Sequence, residues 1–488
     1  MEIGKETYVD MMSGFEFLEG HMKMIYGNRG DFKHNLERYI SSELFQNASR
    51  VPKTINDIPI VDFEQLKGLC YREKYYNDLS RKIVAEYDSL SKQKSITKDD
   101  YLEWGGVLGV CPWIKPETEV LYPYLLDLFV KSNDEGEKIW KEVQNQMPIL
   151  QMIVDNLVCS MRDGQIYNYK GRMVWSQGYI RNFFRGENAY YSKSRPSMFR
   201  GEPARHGERE SSRLANALRT AELALWMRSL ECINGWQYSD IFDSAIAQHY
   251  GIPTSHMDIS GNIMVALFFA CCKWDGTGWK PLNTLDFKYA DSRKSVYELG
   301  GDSRYGVLFV APAIISRMSG ILNDDYFNLT EVEPIGYQPF IRCSAQNGFI
   351  IRGNPEYDMF CDPAFAKVRF RLTQEICDWI YDEMDCGNKI YPKEPFVDIS
   401  RVVSRIKTTK RFSKQAFEKL MDSWEKSEGE CKVQLEKLNE YGYCIEEKPI
   451  EWCDSSEKKN IEKALKSQME QIENNYPKMA YFKPVFAI

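Results

Sequence analysis

The spacing of apolar positions changes twice along the chain, which divides it into three zones. In residues 1–165, Leu121, Leu125, Leu128 and Phe129 recur at helical intervals. Ile139, Trp140, Val143, Met147 and Leu150 keep a similar spacing beyond a polar turn cluster at 131–136. This zone reads as mainly helical and carries no catalytic motif; Trp113, close to Gly109 and Pro112, reads as a packing anchor. In residues 166–400, strand-like runs at 179–184, 306–311 and 340–351 are interspersed with helical patterns. A helix over 213–231 aligns Leu214, Leu218, Ala221 and Leu225, and a second over 239–250 ends at Gly251. Strands and helices mixed without regular alternation predict an α+β domain rather than a doubly wound sheet. Residues 401–488 open with Arg401, Arg405, Lys407, Lys410, Arg411 and Lys414, then turn amphipathic at Phe417, Leu420, Met421 and Trp424. Ile461, Leu465, Met469 and Ile472 form a thin stripe on a charged helix over 456–474, which predicts a C-terminal helical hairpin.

Composition narrows the function classes. A net charge of -7 over 488 residues argues against a protein that coats nucleic acid, although the basic opening of the last zone could touch phosphates. The longest apolar run, 263–272, is half the ~20 residues that a membrane-spanning helix needs. The opening Met-Glu-Ile-Gly-Lys-Glu has no secretory character, so a cytoplasmic protein is expected. Thirteen cysteines without a C-x-x-C pair read as reduced packing thiols, and no metal is expected. Of the five histidines, His256 stands two residues before Asp258, a pair better read as structural than as metal ligands.

Three clusters in the middle zone carry chemistry. Phe184-Arg185-Gly186 ends a strand with a guanidinium and a residue that permits close approach, and Arg200 follows in an Arg-rich stretch. On spacing alone a strand-end ion pair between Arg185 and a nearby carboxylate is the better reading, with Glu187 among the counter-charges of this stretch. The second cluster, Gln248-His249-Tyr250-Gly251-Ile252-Pro253-Thr254, leads through His256 and Asp258 to Ser260, which is placed to cap the next helix. Ordinary capping explains Ser260 as well as an anion site does. In the third, Arg342 precedes Gln346-Asn347-Gly348, which read as a bulged strand with amides turned to a cavity or as a polar strand end.

Together these clusters resemble the FRG domain, named for Phe-Arg-Gly. The matching features are Phe184-Arg185-Gly186, Gln248-His249-Tyr250-Gly251, Pro253-Thr254, Asp258, residues 266–270, and Arg342 with Gln346 and Gly348. The chain departs from the family's usual Pro-Thr-Arg-Leu-Leu-Asp-Trp-Thr at Ser255 and Ile259. A weaker likeness, at the level of fold, is to the Arg-Ser-Glu class of ADP-ribosyltransferases. That likeness would give Arg185 the phosphates of NAD, Ser260 the nicotinamide pocket, and Gln346 the position of the catalytic Glu. Because an amide cannot act as a carboxylate, Glu222 or Asp258 would have to supply the acid, or the pocket would bind without turnover.

The resemblance therefore implies a protein of bacterial or phage-defence setting that binds NAD or a related nucleotide, with ADP-ribosyl transfer or NAD hydrolysis as its chemistry. Arg185, Ser260, Gln346 and Glu222 are the catalytic candidates. Gly186, Arg200, Gln248, His249, Tyr250, Thr254, His256, Asp258 and Arg342 are the ligand-binding candidates. The alternative is a non-catalytic ligand-sensing or protein-interaction module, with partner or homo-oligomer contacts through the helical zones. Neither a membrane nor a nucleic acid is the expected partner. Thiol or serine hydrolysis has no Gly-x-Ser-x-Gly elbow to support it.

Overall fold

The computed structural model describes residues 55–71, 73–74, 137–138, 141, 165–169, 172–176, 182–191, 193–201, 205–234, 243–287, 301–312, 332–335, 342, 345–362, 365–391 and 397–475. The helix expected around 121–129, all but residue 141 of the one around 139–150, and Trp113 lie outside these residues. Strand β2 (Asn182–Glu187) shows why the middle zone forms a sheet. Its neighbours Phe183 and Phe184 are both buried but join different cores, as the two-residue period of a strand requires. Phe183 packs with Met257, Phe309 and Phe349, and Phe184 with Ala266, Leu308 and Phe370. A sheet covered on both faces needs such near-continuous apolar runs.

The other strands of this sheet are β1 (Ile60–Val61), β3 (His256–Ser260), β4 (Tyr305–Pro312), β5 (Val332–Pro334), β6 (Gly348–Arg352) and β7 (Ala366–Arg371). They form a seven-stranded sheet in the order β1-β7-β4-β2-β3-β6-β5. Only β1 and β7 run parallel; the other neighbours are antiparallel. The domain is α+β.

Helices α3 (Ile263–Cys271) and α4 (Gln374–Glu383) share a core with the sheet and α2 (Asp243–His249) meets β3, while α1 (His206–Arg228) packs on α2 and the C-terminal segment. Helix α3 is apolar nearly all round because it is enclosed in the core shared by the sheet and α4. It lies so close to β2 that a Cβ on Gly186 would stand 1.8 Å from the carbonyl oxygen of Ala266. Asn262, not Ser260, caps α3, its side chain accepting from Met264 N. Helix α2 ends as expected at Gly251, whose φ of +82° reverses the chain. The amide of Gly251 donates to Gln248 O (2.8 Å) and that of Ile252 to Ala247 O (2.9 Å), while Ala247 and Ile252 pack in one apolar cluster.

One expected strand begins later than its hydrophobic pattern suggests. Arg342 and Ala345 are helical, Gln346 N donates to Arg342 O (2.9 Å), and β6 starts only at Gly348. The physical reason is Asn347, which takes a left-handed φ of 46° and closes the turn; Gln346 and Asn347 therefore form neither a bulge nor a strand end.

The C-terminal segment is more elaborate than a hairpin. Helices α5 (Val397–Thr408), α6 (Lys414–Ser423), α7 (Glu428–Glu440) and α8 (Ser455–Asn475) accompany a parallel pairing of Arg411–Ser413 with Cys444–Glu446. They build two apolar clusters against α1: Leu223, Trp226 and Met227 meet Val402 and Ile406, and Leu214 and Leu218 meet Phe417 and Leu438. Three of the six cations of the basic opening are paired within the chain. Arg405 grips Glu457 with two bonds (2.8 and 2.9 Å), Arg411 pairs with Glu446, and Lys414 with Glu447 (2.9 Å).

Gly186→Ala is expected to destabilise the fold by about 3 kcal/mol or more, because the obstructing atom is backbone and α3 must move away. Chemical denaturation measures this, and a loss under about 1 kcal/mol would show that α3 shifts without strain.

Candidate active site

Strands β2 and β3 pair at a single position, Phe184 with Ser260. Beyond it the backbones separate, and the side chain of Arg185 spans the gap. Its Nη1 donates to the carbonyl of Asp258 (2.7 Å) and its Nε to Glu187 Oε1 (3.2 Å). Arg185 and Glu187 share a face of β2, two residues apart. Glu187 is buried, and its Oε1 also accepts from Ser194 Oγ (2.7 Å). The guanidinium is thus held from two sides.

A cleft of about 200 Å³ opens at this separation. Its polar lining comes from Arg185, His249, Asp258, Ser260 and Gln346, with Gly186 at the wall; Val265, Phe269 and Ile335 are among its apolar residues. Among the described residues, Asp258 is the one acid in the lining. Its surrounding protein raises the carboxyl above the ordinary aspartate range by desolvation, opposed by Arg185, a hydrogen bond from Gln248, and Arg200.

Arg200 stands exposed near this group. Desolvation, then the like charge of Arg185, draws its guanidinium below the usual value, while Glu187, Tyr191 and Asp258 act the other way. Thr254 fixes the turn that carries Arg200: its carbonyl accepts from Met198 N (3.0 Å) and its amide donates to Ser197 Oγ (3.0 Å). The Thr254 hydroxyl donates to Gln248 Oε1 (2.5 Å). Gln248 therefore links Thr254 to Asp258, and both residues position the site.

Ser260 is buried, and its hydroxyl donates to Gln346 O (2.7 Å) while accepting from Asn262 N (2.9 Å). It ties the 345–348 turn to the entry of α3. Gln346 Nε2 donates to Ile390 O (3.3 Å). His249 lies in the last turn of α2, and its Nε2 is buried without a hydrogen-bond partner. Burial, assisted by the Arg342 charge, pushes its pKa down to about 3, so the ring is neutral near pH 7.

The other candidates lie elsewhere. Tyr250 packs its ring edge-on to His249 at the margin of the helical core. His256 is buried on β3, opposite Arg352, and is not in the cleft lining. Arg342 lies over the ring of Tyr391, 5.1 Å from its centroid. Glu222 is a correction. Its buried carboxylate accepts from Ser413 N (2.5 Å) and Trp452 Nε1 (3.1 Å), so it anchors the C-terminal segment and is not in the cleft lining. Phe269 was not among the sequence candidates, and Glu187 entered only as a counter-charge; the ion pair it makes with Arg185 is the strand-end pair that the spacing suggested.

Residues 181–277 match the family model of the FRG domain. The chain carries an FRG domain. The matched span of the FRG domain includes Arg185, Gly186, His249, Asp258 and Ser260; Arg342, Gln346 and Gly348 lie beyond it. No curated protein and no solved structure shows significant similarity to the chain. Among the described residues no group of His, Cys, Asp and Glu side chains is arranged to hold a metal, and no helix is long and apolar enough to cross a membrane. Burial raises the Cys271 and Cys272 thiols, so neither is an activated nucleophile in the FRG domain.

The neutrality of His249 has a pH signature. Its folded pKa lies below the ordinary 6.5, so the unfolded chain binds the proton first and stability falls as pH drops from 6.5 towards 3. Replacing it, His249→Gln, is expected to flatten that fall by up to about 1.4 kcal/mol per pH unit. Parallel stability curves for the two proteins would refute a buried neutral imidazole.

Proposed function

We propose that the cleft binds a phosphate-bearing nucleotide, NAD in the first instance, and breaks the bond between its nicotinamide and ribose. The observation that carries this reading is the meeting of Arg185 and Asp258 in one cleft, a fixed guanidinium beside a carboxyl of raised pKa. With Nε and one Nη1 hydrogen engaged, Arg185 keeps Nη2 for a phosphate oxygen. Arg200 adds a second positive charge at the exposed side. Asp258, when ionised, faces the charge that develops on the ribose as the glycosidic bond breaks. The bonding pair leaves with the ring nitrogen and neutralises it. Water or an acceptor hydroxyl then bonds to the anomeric carbon and gives its proton to Asp258. Water as acceptor gives NAD hydrolysis, and another nucleophile gives ADP-ribosyl transfer. Either would suit a bacterial defence or toxin protein, since both consume cellular NAD.

A second reading is ligand sensing without turnover, with the helical lobe contacting a protein partner. It is favoured by Gln346, an amide whose Nε2 is bonded to backbone, and by Ser260, whose hydroxyl is already engaged.

Calorimetry with NAD, followed by incubation with NAD carrying label in its adenylate half, separates the two. Arg185→Ala is expected to weaken binding about tenfold or more. Asp258→Asn should bind NAD within about threefold of wild type while turnover falls by ~10²–10³. Unchanged binding in Arg185→Ala would overturn the nucleotide reading, and tight binding with no label released or transferred would select the sensing one.

A further inference from the structure

Helix α2 is only seven residues long, and two parts of the molecule claim different faces of it. Towards the sheet it contributes Ala245, in a small cluster with Ile335 and Ile350. Towards the C-terminal segment it contributes Ile246 and Ala247, joined by Ile252 just beyond its end, in a larger cluster that includes Val402, Ile406 and Trp452. Burying an isoleucine and an alanine outweighs burying one alanine, so the C-terminal segment holds α2 more firmly than the sheet does. The end of the helix is covered from the same side. A Cβ on Gly251 would stand 2.9 Å from Lys407 Nζ of α5, so that ammonium lies over the last turn of α2, where the open carbonyls carry partial negative charge.

We infer that Ile406 and Lys407 are positioning residues for the cleft: they hold α2 in place, and α2 through Gln248 holds the carboxyl of Asp258 beside Arg185. The links run outward from the last turn of α2. Gln248 donates a hydrogen bond to the Asp258 carboxyl, and its Oε1 accepts from the Thr254 hydroxyl. Thr254 in turn holds the 197–200 turn that carries Arg200, through Ser197 Oγ and Met198 N. Strand β3 cannot replace this support from the other side, because a single residue pair joins it to β2. A displacement of α5 therefore reaches the acid and the second guanidinium of the cleft by way of one short helix. Both α5 residues lie outside the span 181–277 that matches the FRG domain, so the device is built from the flanking chain. The inference rests on the nucleotide reading for what Asp258 does in the cleft, but the linkage from α5 to Asp258 stands apart from it.

Hydrogen exchange on the full chain, read segment by segment, tests the linkage without any ligand. Ile406→Ala is expected to speed exchange about fivefold or more over residues 246–258, while β4 and β7 change less than about twofold. Ile406→Val removes one methylene, keeps the fold, and should give the same pattern at smaller amplitude. Leu438→Val is the control. Leu438 is fully buried in the other apolar cluster of the C-terminal segment, which contains no residue of α2, so exchange over 246–258 should stay within about twofold of wild type. Exchange that rises equally in β4 and β7, a rise confined to 397–408, or the same rise over 246–258 in Leu438→Val overturns the inference. The effect on chemistry is read in the pH profile of NAD turnover. Among the described residues the charges acting on Asp258 are Arg185 of β2 and Arg200 of the 197–200 turn, with Gln248 of α2 as hydrogen-bond donor; His249, of pKa about 3, is neutral over the range. Losing the Gln248 bond removes stabilisation of the carboxylate, so the acidic limb in Ile406→Ala is expected to move up by about half a pH unit. An unmoved limb overturns the inference. If wild type turns over no NAD, the proposed chemistry falls and the exchange pattern alone decides the linkage.

Discussion

The carbonyl of Ala266 lies where a side chain on residue 186 would have to stand, and much of the domain follows from that contact. A helix can approach a strand this closely only over a glycine. The approach brings the α3 face carrying Val265, Ala266 and Phe269 against the end of β2 and makes it one wall of the cleft. It also fixes where Ser260 and Asn262 turn the chain from β3 into α3, and so where the sheet separates. The Arg before this glycine and the Phe before the Arg then have defined places, one spanning the separation and one sealing the core beneath it.

Electrostatics adds a second layer. The cleft contains groups whose surroundings push them towards their neutral forms: Asp258, an exposed position of β3, by the desolvating protein around it, and His249 by burial next to Arg342. Arg185, bonded to Glu187 and to a backbone carbonyl, remains the fixed charge among them.

Legibility in the sequence tracked how local each cause was. Gly186, the two phenylalanines before Arg185, and the Gly251 stop could be read because strand alternation and helix termination act over a few residues. The Gln346-Asn347 turn was not, since a polar pair inside an apolar run fits a bulge as well as a left-handed residue, and the run alone does not choose. Glu222 looked like a cleft acid because its partners, Ser413 and Trp452, are 191 and 230 residues away along the chain. Ser260 preceded a helix as a cap would, yet Asn262 is the residue with the φ and ψ of a cap. The neutrality of His249 comes first from its burial and then from the charge of Arg342, and no spacing rule connects either to it.

The single backbone pairing between β2 and β3 has a mechanical consequence. Strands β1, β7, β4 and β2 form one continuous ladder, and β3, β6 and β5 another, each with two to six paired residues per junction. Between the ladders, one residue pair and the guanidinium of Arg185 do the work that a row of amides does elsewhere. The stiffness of that seam is a property of a rotamer, so it can be altered by whatever competes for one side chain, and neither ladder need unzip for the two halves of the sheet to flex against each other.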